Sequence, residues 1–395
     1  MVVFLEEVLV AVVVVLGNYY FMKIGIDASR ANNLQKTGVE WYSYFLLKNL
    51  QKIIPENIEV VLYTREKLQG DLAELPKNWS NKVLCWPPKI FWTQIRLSLE
   101  MLFHKPDILF VPAHVCPIIH PKKTVMTVHD IAALRFPESY NFFERWYSLA
   151  TVRFAIKKVW RIITPSQFTK DELKSLAVKN YDENKIKVVY HGFNNLYKQK
   201  FSAEEKNNIL KKYNIGENFI ISISRLEYKK NTLGIVKAFE ILKQKPGYEN
   251  LQLVLVGKPG HGFAQVEKAI NGSVYKKDII LPGWVEESDL PVILFGAQVF
   301  VFPSFYEGFG LPVLQAMSAG VAVVTSKSSS LPEVGGEACL YVDSSDYQDI
   351  ADKIQIFLED KNLRQEKVAL GYIRAEDFSW EKCARETIEE WEVRF

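Results

Sequence analysis

The sequence is poor in the residues that build disulfide bonds and metal sites. Its 395 residues include four cysteines and six histidines. The cysteines lie far apart in the chain, and neither they nor the histidines stand at the close spacings of a zinc or redox motif. We therefore expect a reducing compartment, no disulfide framework and no bound metal.

A large excess of charge is also missing. The net charge is +3 and 24% of the residues are charged, which does not favour a nucleic-acid partner. The apolar fraction of 48% is typical of a globular protein. The length is sufficient for two domains of ordinary size, each with its own core.

Long apolar runs are confined to residues 1–21. Val8 to Leu16 is almost purely aliphatic, but Glu6 and Glu7 precede it and it lacks the basic start of a secretory signal. It is also shorter than the roughly 20 apolar residues that span a bilayer. We expect an over-long N-terminus ahead of the first strand, with a weak membrane anchor as the alternative.

From Lys23 onward, apolar strands alternate with amphipathic helical segments, which predicts parallel sheets covered on both faces. The first series of predicted strands is Lys23–Ala28, Ile58–Tyr63, Lys82–Trp86, Asp107–Val111, Thr124–Val128, Arg161–Thr164 and Ile186–Tyr190. The second is Phe219–Ser224, Leu251–Val256, Asp278–Leu281, Gln298–Phe302, Val321–Thr325 and Ala338–Val342. The prediction is an α/β protein with two doubly wound, Rossmann-like domains, residues 22–200 and 201–376, that face a cleft. Residues 377–395 are predicted to form a closing helix with Ser379 as its N-cap.

The stretch from Val299 to Gly320 has the pattern of strand, glycine loop and helix start. Gly308 and Gly310 allow close approach to the backbone, and Pro312 suits the first turn of a helix. A helix N-terminus binds anions, and Glu307 at the loop can accept hydrogen bonds from hydroxyl groups. Phosphate and hydroxyl recognition together indicate a sugar nucleotide, whereas the glycines alone are equally compatible with a tight turn.

This stretch resembles the donor-site signature of glycosyltransferase family 4, whose members are retaining enzymes of the two-domain GT-B fold. The signature has two glutamates separated by seven residues, and here Glu307 is followed by Gln315. The resemblance implies that Glu307 contacts the donor sugar and that position 315 binds the ribose. Gln315 is a neutral acceptor and forms weaker hydrogen bonds than a carboxylate. Residues 325–335 also match the family and are interpreted as a turn and helix start beside the nucleotide.

A basic cluster follows the first strand of the second series. Arg225 and Lys230 at the carboxyl end of a strand suit a diphosphate, although a solvated basic loop has the same composition. The resemblance implies that both hold the donor pyrophosphate, so that no divalent metal is needed. It adds the backbone amides of four residues, Gly308, Phe309, Gly310 and Leu311.

Two weaker motifs lie in the first series. His129 and Asp130 follow a strand; the resemblance places His129 near the anomeric carbon and makes Asp130 orient the loop, whereas a structural histidine is the alternative. Whether His129 acts as a base stays open, since the departing phosphate oxygen can take the acceptor proton in front-face attack. Gly38 precedes a helix and resembles the family's glycine loop, which would approach phosphate or acceptor, but one glycine also makes a simple turn.

The predicted helix from Phe142 combines aromatic and cationic residues. Trp146, Tyr147, Phe154 and Trp160 alternate with Arg153, Lys157, Lys158 and Arg161. Such a helix can rest on a membrane surface, which would suit a lipid-linked acceptor, or its aromatics can be core residues.

Taken together, the motifs predict a metal-independent, retaining hexosyltransferase. It would move a sugar, with mannose as a candidate, from a nucleoside diphosphate sugar to a glycan or lipid-linked acceptor in polysaccharide biosynthesis. No cofactor beyond this donor substrate is expected, and the expected location is the cytoplasm, with peripheral contact at the inner face of the plasma membrane as an addition. The alternatives are a sugar-nucleotide epimerase of the same fold, a non-catalytic sugar-binding protein and an inactive transferase.

Overall fold

The computed structural model describes residues 22–33, 35–88, 90–176 and 182–392. The predicted apolar extension, residues 1–21, lies outside this part of the chain.

The first part of the chain folds around a seven-stranded parallel sheet. Its strands are β1 (Lys23–Asp27), β2 (Glu59–Thr64), β3 (Trp79–Val83), β4 (Ile108–Val111), β5 (Lys123–Thr127), β6 (Arg161–Thr164) and β7 (Ile186–Val188). They are ordered β3-β2-β1-β4-β5-β6-β7. The helices that the structure describes in this part of the chain are α1 (Gly38–Ile53), α2 (Ser98–Phe103), α3 (Ala132–Arg135), α4 (Phe142–Lys158) and α5 (Gln167–Leu176). A π-helical turn, Trp92–Leu97, leads directly into α2.

The second part repeats this plan with six parallel strands. They are β8 (Phe219–Ile223), β9 (Gln252–Val256), β10 (Ile279–Gly283), β11 (Val299–Phe302), β12 (Ala322–Ser326) and β13 (Cys339–Val342), in the order β10-β9-β8-β11-β12-β13. The helices are α6 (Ala203–Lys212), α7 (Thr232–Lys243), α8 (Phe263–Gly272), α9 (Leu290–Gly296), α10 (Leu311–Ser318), α11 (Leu331–Gly335), α12 (Tyr347–Glu359), α13 (Lys361–Ala375) and α14 (Trp380–Glu389). Two parallel sheets with flanking helices confirm the predicted α/β architecture.

Strand β3 lies at the sheet edge, and its predicted position was wrong. The prediction was Lys82–Trp86, whereas the strand pairs with β2 from Trp79 to Val83. Its successive residues are alternately more buried and more exposed, as expected of an edge strand with one solvated face. The apolar run that misled the prediction packs elsewhere: Leu84 is fully buried, and its carbonyl accepts a hydrogen bond of 2.8 Å from the indole of Trp92.

The last helix, α14, returns to the first sheet. It begins at Ser379, whose side chain accepts a hydrogen bond from the amide of Lys382, as predicted. Trp380 stacks on Phe45 of α1 with ring centroids 5.6 Å apart, and Trp391 lies 5.5 Å from Phe110 of β4. The end of the chain therefore shares the core of the first sheet, while the predicted domain boundaries stay predictions.

Both sheets reverse strand order at one point, between β1 and β4 and between β8 and β11. Loops diverge at such a point and leave a crevice at the carboxyl ends of the strands, where ligands of doubly wound folds bind. The two crevices face each other, because the carbonyl of Gly308 after β11 accepts a hydrogen bond of 2.6 Å from Ser166 after β6. Within the described part of the chain, no helix combines the length and apolarity needed to cross a bilayer.

Candidate functional site

The glycine loop after β11 forms the predicted strand-to-helix turn. Gly310 is the N-cap of α10 with φ of +104°, a conformation that favours glycine. A Cβ atom there would lie 2.6 Å from Leu331, so the position also demands close packing. Leu311 and Pro312 form the first turn, and the N-terminal amides of this turn have no partners within the helix. The loop thus provides the anion-binding geometry that the sequence predicted.

Gly308 brings this loop into contact with the first sheet. A Cβ atom at Gly308 would lie 2.0 Å from the carbonyl oxygen of His129, so only glycine fits. Its own carbonyl accepts hydrogen bonds from Ser166 at 2.6 Å and Thr169 at 3.1 Å. The structure therefore brings Gly308 together with His129 and Asp130, which the sequence analysis had assigned to the same cleft from separate motifs.

Glu307 and Lys230 form an ion pair beside the loop. Lys230 Nζ lies 2.5 Å from Glu307 Oε1, and their side chains are only 16% and 11% exposed. The backbone of Glu307 is fixed by two serines: its amide donates to Ser329 at 3.0 Å and its carbonyl accepts from Ser330 at 2.9 Å. Since each charge of a largely buried ion pair depends mainly on the opposite charge for its stabilisation, a diphosphate would compete with Glu307 for Lys230.

A second pair of charges, Asp130 and Lys229, spans the cleft. Burial opposes ionisation of Asp130, but the nearby Lys229 ammonium and a hydrogen bond of 2.9 Å from the amide of Ala132 hold its pKa below the usual range. Burial likewise disfavours the charged form of Lys229, yet Asp130 raises its pKa above the usual value. Both groups are thus charged at neutral pH. Sequence reasoning assigned no role to Lys229.

His129 is a neutral, buried residue of the cleft wall. Burial, with the neighbouring His114 as the next cause, lowers its pKa to about 4. The neutral ring donates from Nε2 to the carbonyl of Pro112 at 3.3 Å and packs edge-on against Tyr42, with ring centroids 4.6 Å apart. This environment fits either the structural role or a contact with substrate, and it excludes an imidazolium at neutral pH.

The remaining predicted residues lie apart from this cluster. Arg225 is exposed and lies along Gly260, and Gln315 is half-buried in the second turn of α10. Within the described residues, neither side chain has a hydrogen bond or ion pair with Glu307 or Lys230. Their phosphate and ribose roles stay predictions.

Gly38 and Phe309 occupy distinct local settings. Gly38 is the first residue of α1, whose N-terminus is closed by a capping box between Thr37 and Glu40. A Cβ atom at Gly38 would meet nothing within 4 Å, so close packing does not require glycine there. Phe309 is buried, and its ring centroid lies 4.8 Å from that of His191, which anchors the glycine loop on the first sheet.

Sequence reasoning missed several contacts that join the two halves. Glu333 was placed beside the nucleotide, but its carboxylate accepts from the amides of Gln167 at 2.6 Å and Phe168 at 3.2 Å. It thus lies at the N-terminus of α5, where a negative charge is favoured. Tyr306 donates to Glu172 at 2.5 Å and accepts from the amide of Ile131. The adjacency of Tyr306 to Glu307 was the available signal, but the partners lie more than 130 residues away.

A small cavity of about 120 Å³ lies in the first domain, at the carboxyl ends of β1, β2 and β4. Asp27, Arg30, Arg65 and His114 are among its lining residues, together with Trp92. Burial raises the pKa of Asp27, while its hydrogen bond from Ser29 and the nearby arginines oppose this shift. Among the residues that the structure describes, no group of three or more His, Cys, Asp or Glu side chains could hold a metal ion.

The buried state of His129 predicts a pH-dependent stability. Because its folded pKa of about 4 lies below the usual histidine pKa of 6.5, the unfolded chain binds more protons between these two pH values. Stability should therefore fall as pH falls from about 6.5 to about 4, by on the order of 3 kcal/mol from this residue. We expect the free energy of unfolding, measured with urea at several pH values, to change less steeply with pH in His129→Gln than in the wild type. An identical slope would contradict the buried neutral imidazole.

Two family models match the chain, one on each half. The model described as Glycosyltransferase Family 4 matches residues 36–195, and the model described as Glycosyl transferases group 1 matches residues 205–371. The matched segments include strands β2 to β7 of the first sheet and all six strands of the second.

Curated relatives point to the same family. O-antigen chain mannosyltransferase B of Escherichia coli is 30% identical over 311 residues, which cover 78% of each chain. The serotype-specific mannosyltransferase WbdA of Escherichia coli is 28% identical over 68% of this chain, and this chain spans about a third of that protein's length, 33%.

Solved structures establish the fold. Sucrose-phosphate synthase from Thermosynechococcus elongatus superposes with a TM-score of 0.75 at 18% identity, over 94% of this chain and 98% of that one. HepE from Anabaena, in complex with UDP and glucose, gives a TM-score of 0.72 at 17% identity, over 94% of this chain and 99% of that one. Since the mannosyltransferase relative matches over most of both chains and both halves match the family models, the chain belongs to glycosyltransferase family 4 and is a glycosyltransferase of the GT-B fold.

Proposed function

We propose that this glycosyltransferase transfers mannose, with retention of configuration, from a nucleoside diphosphate sugar to a glycan or lipid-linked acceptor during polysaccharide synthesis. Two curated relatives named as mannosyltransferases support the choice of sugar, and one of them is named for an O-antigen chain. HepE was solved with UDP and glucose, which supports a nucleoside diphosphate donor. A cytoplasmic location, in peripheral contact with the plasma membrane, completes the proposal.

The observation that carries the proposal is the Lys230–Glu307 pair beside the glycine loop. In the proposed complex, Lys230 leaves Glu307 and binds the donor diphosphate, together with Arg225 and the amides of Gly308 to Leu311. Glu307 is then free to accept hydrogen bonds from the sugar hydroxyls, and Gln315 from the ribose. Cations and amides thus neutralise the leaving diphosphate, so the proposal requires no divalent metal.

The residues on the first-sheet side of the cleft favour a front-face mechanism, in which no protein side chain acts as the base. The neutral His129 lines the cleft, and its low pKa makes it a weak base. Asp130 is charged but engaged with Lys229. The departing phosphate oxygen is therefore the proposed acceptor of the proton from the attacking hydroxyl, while Asp130 and Lys229 hold the two walls of the cleft in position.

The proposal predicts slow donor hydrolysis when no acceptor is supplied. A panel of nucleoside diphosphate sugars, incubated with EDTA, should show diphosphate release from one mannose donor by the wild type. Glu307→Ala should reduce this release at least a hundredfold, because both the sugar contact and the placement of Lys230 are lost. Val274→Ala, an exposed residue of the second domain, is the matched control and should keep wild-type turnover.

Three other outcomes of this panel would overturn the proposal. Release that requires a divalent metal would contradict the neutralisation by lysine and arginine. Interconversion of the sugar without diphosphate release would indicate an epimerase. Failure to bind any nucleoside diphosphate sugar would favour a sugar-binding protein or an inactive transferase.

Gly308 offers a test of the joint between the two halves. Gly308→Ala places a methyl group against the carbonyl of His129, so the two walls must separate. We expect donor turnover to fall at least a hundredfold, since catalytic groups displaced by about 1 Å lose roughly that factor. Gly272→Ala, where an added Cβ meets nothing within 4 Å, is the control. If Gly308→Ala and Gly272→Ala both turn over the donor as fast as the wild type, the contact between Gly308 and His129 is dispensable.

A further inference from the structure

The segment of residues 92–103 is apolar on two sides. Its inner side, with Trp92, Leu97 and Met101, is buried against the first sheet. Its outer side exposes large apolar side chains at helical spacing: Ile95, Leu99, Leu102 and Phe103, the last of them 73% exposed. A surface helix of a globular protein normally carries apolar residues on its core side and polar residues on the opposite side, so this outer side is an unusual surface.

Two neighbouring segments extend this surface. The hydroxyl of Ser98 accepts hydrogen bonds from the amides of Ile118 at 2.9 Å and Ile119 at 3.3 Å, so the loop with the exposed Ile118 lies beside α2. At the other end, Phe91 lies 6.3 Å from Phe143 at the start of α4. The outer residues of 92–103, the 118–119 loop and the start of α4 are called the apolar face below.

The helix predicted to lie on a membrane contributes only its first turns. Phe142 is 87% exposed and Trp146 is also exposed. In contrast, Phe154 packs against His120 with ring centroids 5.9 Å apart, and Trp160 packs at the edge of the first core. The exposed aromatic residues of this helix therefore lie in its first turns, and the sequence analysis did not single out residues 92–103.

Cations outnumber anions around the apolar face: Arg145 offsets Glu144 at the start of α4, and the lysines of residues 90–123 are in excess. Between residues 90 and 123 the carboxylates are Glu100 and Asp107, and both are turned inward. Glu100 is buried and pairs with Lys82, and Asp107 accepts from the backbone amide of Lys23 at 2.8 Å. The exposed lysines of the same stretch are three, Lys105, Lys122 and Lys123. The face is therefore an apolar patch with cations at its edge.

We propose that the apolar face docks onto a lipid bilayer that carries anionic headgroups. Exposed aromatic and aliphatic side chains enter the boundary between headgroups and acyl chains, and the lysines contact the lipid phosphates. The net positive charge of the face argues against a second copy of this chain as its partner, because pairing two such faces would bring their lysines together.

Docking at this face would serve the proposed reaction, and in that respect the inference rests on the proposed function. The cavity in the first domain is lined by Phe91 and Tyr147 on the side of the apolar face, and by His114 on the side of the cleft. The pKa of His114 responds to Asp130, so these two residues are neighbours. A lipid-linked acceptor held at the bilayer would thus have its sugar next to the wall formed by His129 and Asp130.

Vesicle binding by the full chain tests this docking. We expect the wild type to co-sediment with vesicles containing phosphatidylglycerol and to bind phosphatidylcholine vesicles more weakly. The triple variant Ile95→Gln, Leu99→Gln, Phe103→Gln should lower the affinity for the anionic vesicles at least tenfold. The double variant Val274→Gln, Ile373→Gln removes two exposed apolar residues from the second domain and should bind as the wild type does. Both variants keep residues 1–21, so any contribution from that segment cancels.

The outcomes separate docking from catalysis. Equal binding of the triple and double variants, or a wild type that binds neither vesicle, would overturn the proposed face. A concentration-dependent dimer that only the triple variant loses would assign the face to a second copy instead. Donor hydrolysis without vesicles should be unchanged in the triple variant, so a failure of the proposed function would appear in that assay and not in vesicle binding.

Discussion

The close approach of Gly308 to the carbonyl of His129 is the contact on which the rest of the cleft depends. A methyl group would not fit between them, and Ser166 and Thr169 donate to the carbonyl of Gly308. Glu333 adds a second link by accepting from the first amides of α5. Because each of these hydrogen bonds has a backbone atom at one end, they fix the glycine loop relative to the first sheet with little freedom. The positions of the charged side chains on the loop follow from that placement.

Charge balance is the second property of the cleft. Asp130 faces Lys229, and Glu307 pairs with Lys230, so two anions and two cations occupy a space with little access to water. The positive and negative charges of the cleft balance each other when no ligand is bound. The cleft can also accept a diphosphate, provided that a lysine leaves its carboxylate partner and binds the phosphate. Glu307 would then exchange an ammonium group for sugar hydroxyls. The same two residues can in this way hold the site in shape and recognise the donor.

The sequence was sufficient for the features that depend on local patterns. Apolar strands alternating with helices predicted both parallel sheets, and the spacing of Gly308, Gly310 and Pro312 predicted the turn before α10. The prediction was wrong at β3, because an edge strand has a weak apolar pattern and the apolar residues that follow it pack beside Trp92 instead.

Contacts between distant segments could not be predicted from the sequence. The pairing of Lys230 with Glu307 joins residues 77 positions apart, and the capping of α5 by Glu333 joins residues more than 160 apart. The apolar face could not be predicted from the sequence for a related reason. The sequence of residues 92–103 does not show which side of the segment is covered, and the packing leaves one of its two apolar sides exposed.

The exchange of partners by Lys230 is the central claim, and calorimetric titration with UDP and GDP measures it most directly. Lys230→Met should weaken binding of the preferred nucleoside diphosphate at least tenfold, because a charge-assisted contact to phosphate is lost. Glu307→Gln should bind the same diphosphate at least as tightly as the wild type, because Lys230 no longer has to leave a carboxylate. If Lys230→Met binds like the wild type, or if Glu307→Gln loses diphosphate binding together with it, the pair does not exchange partners and the account is wrong.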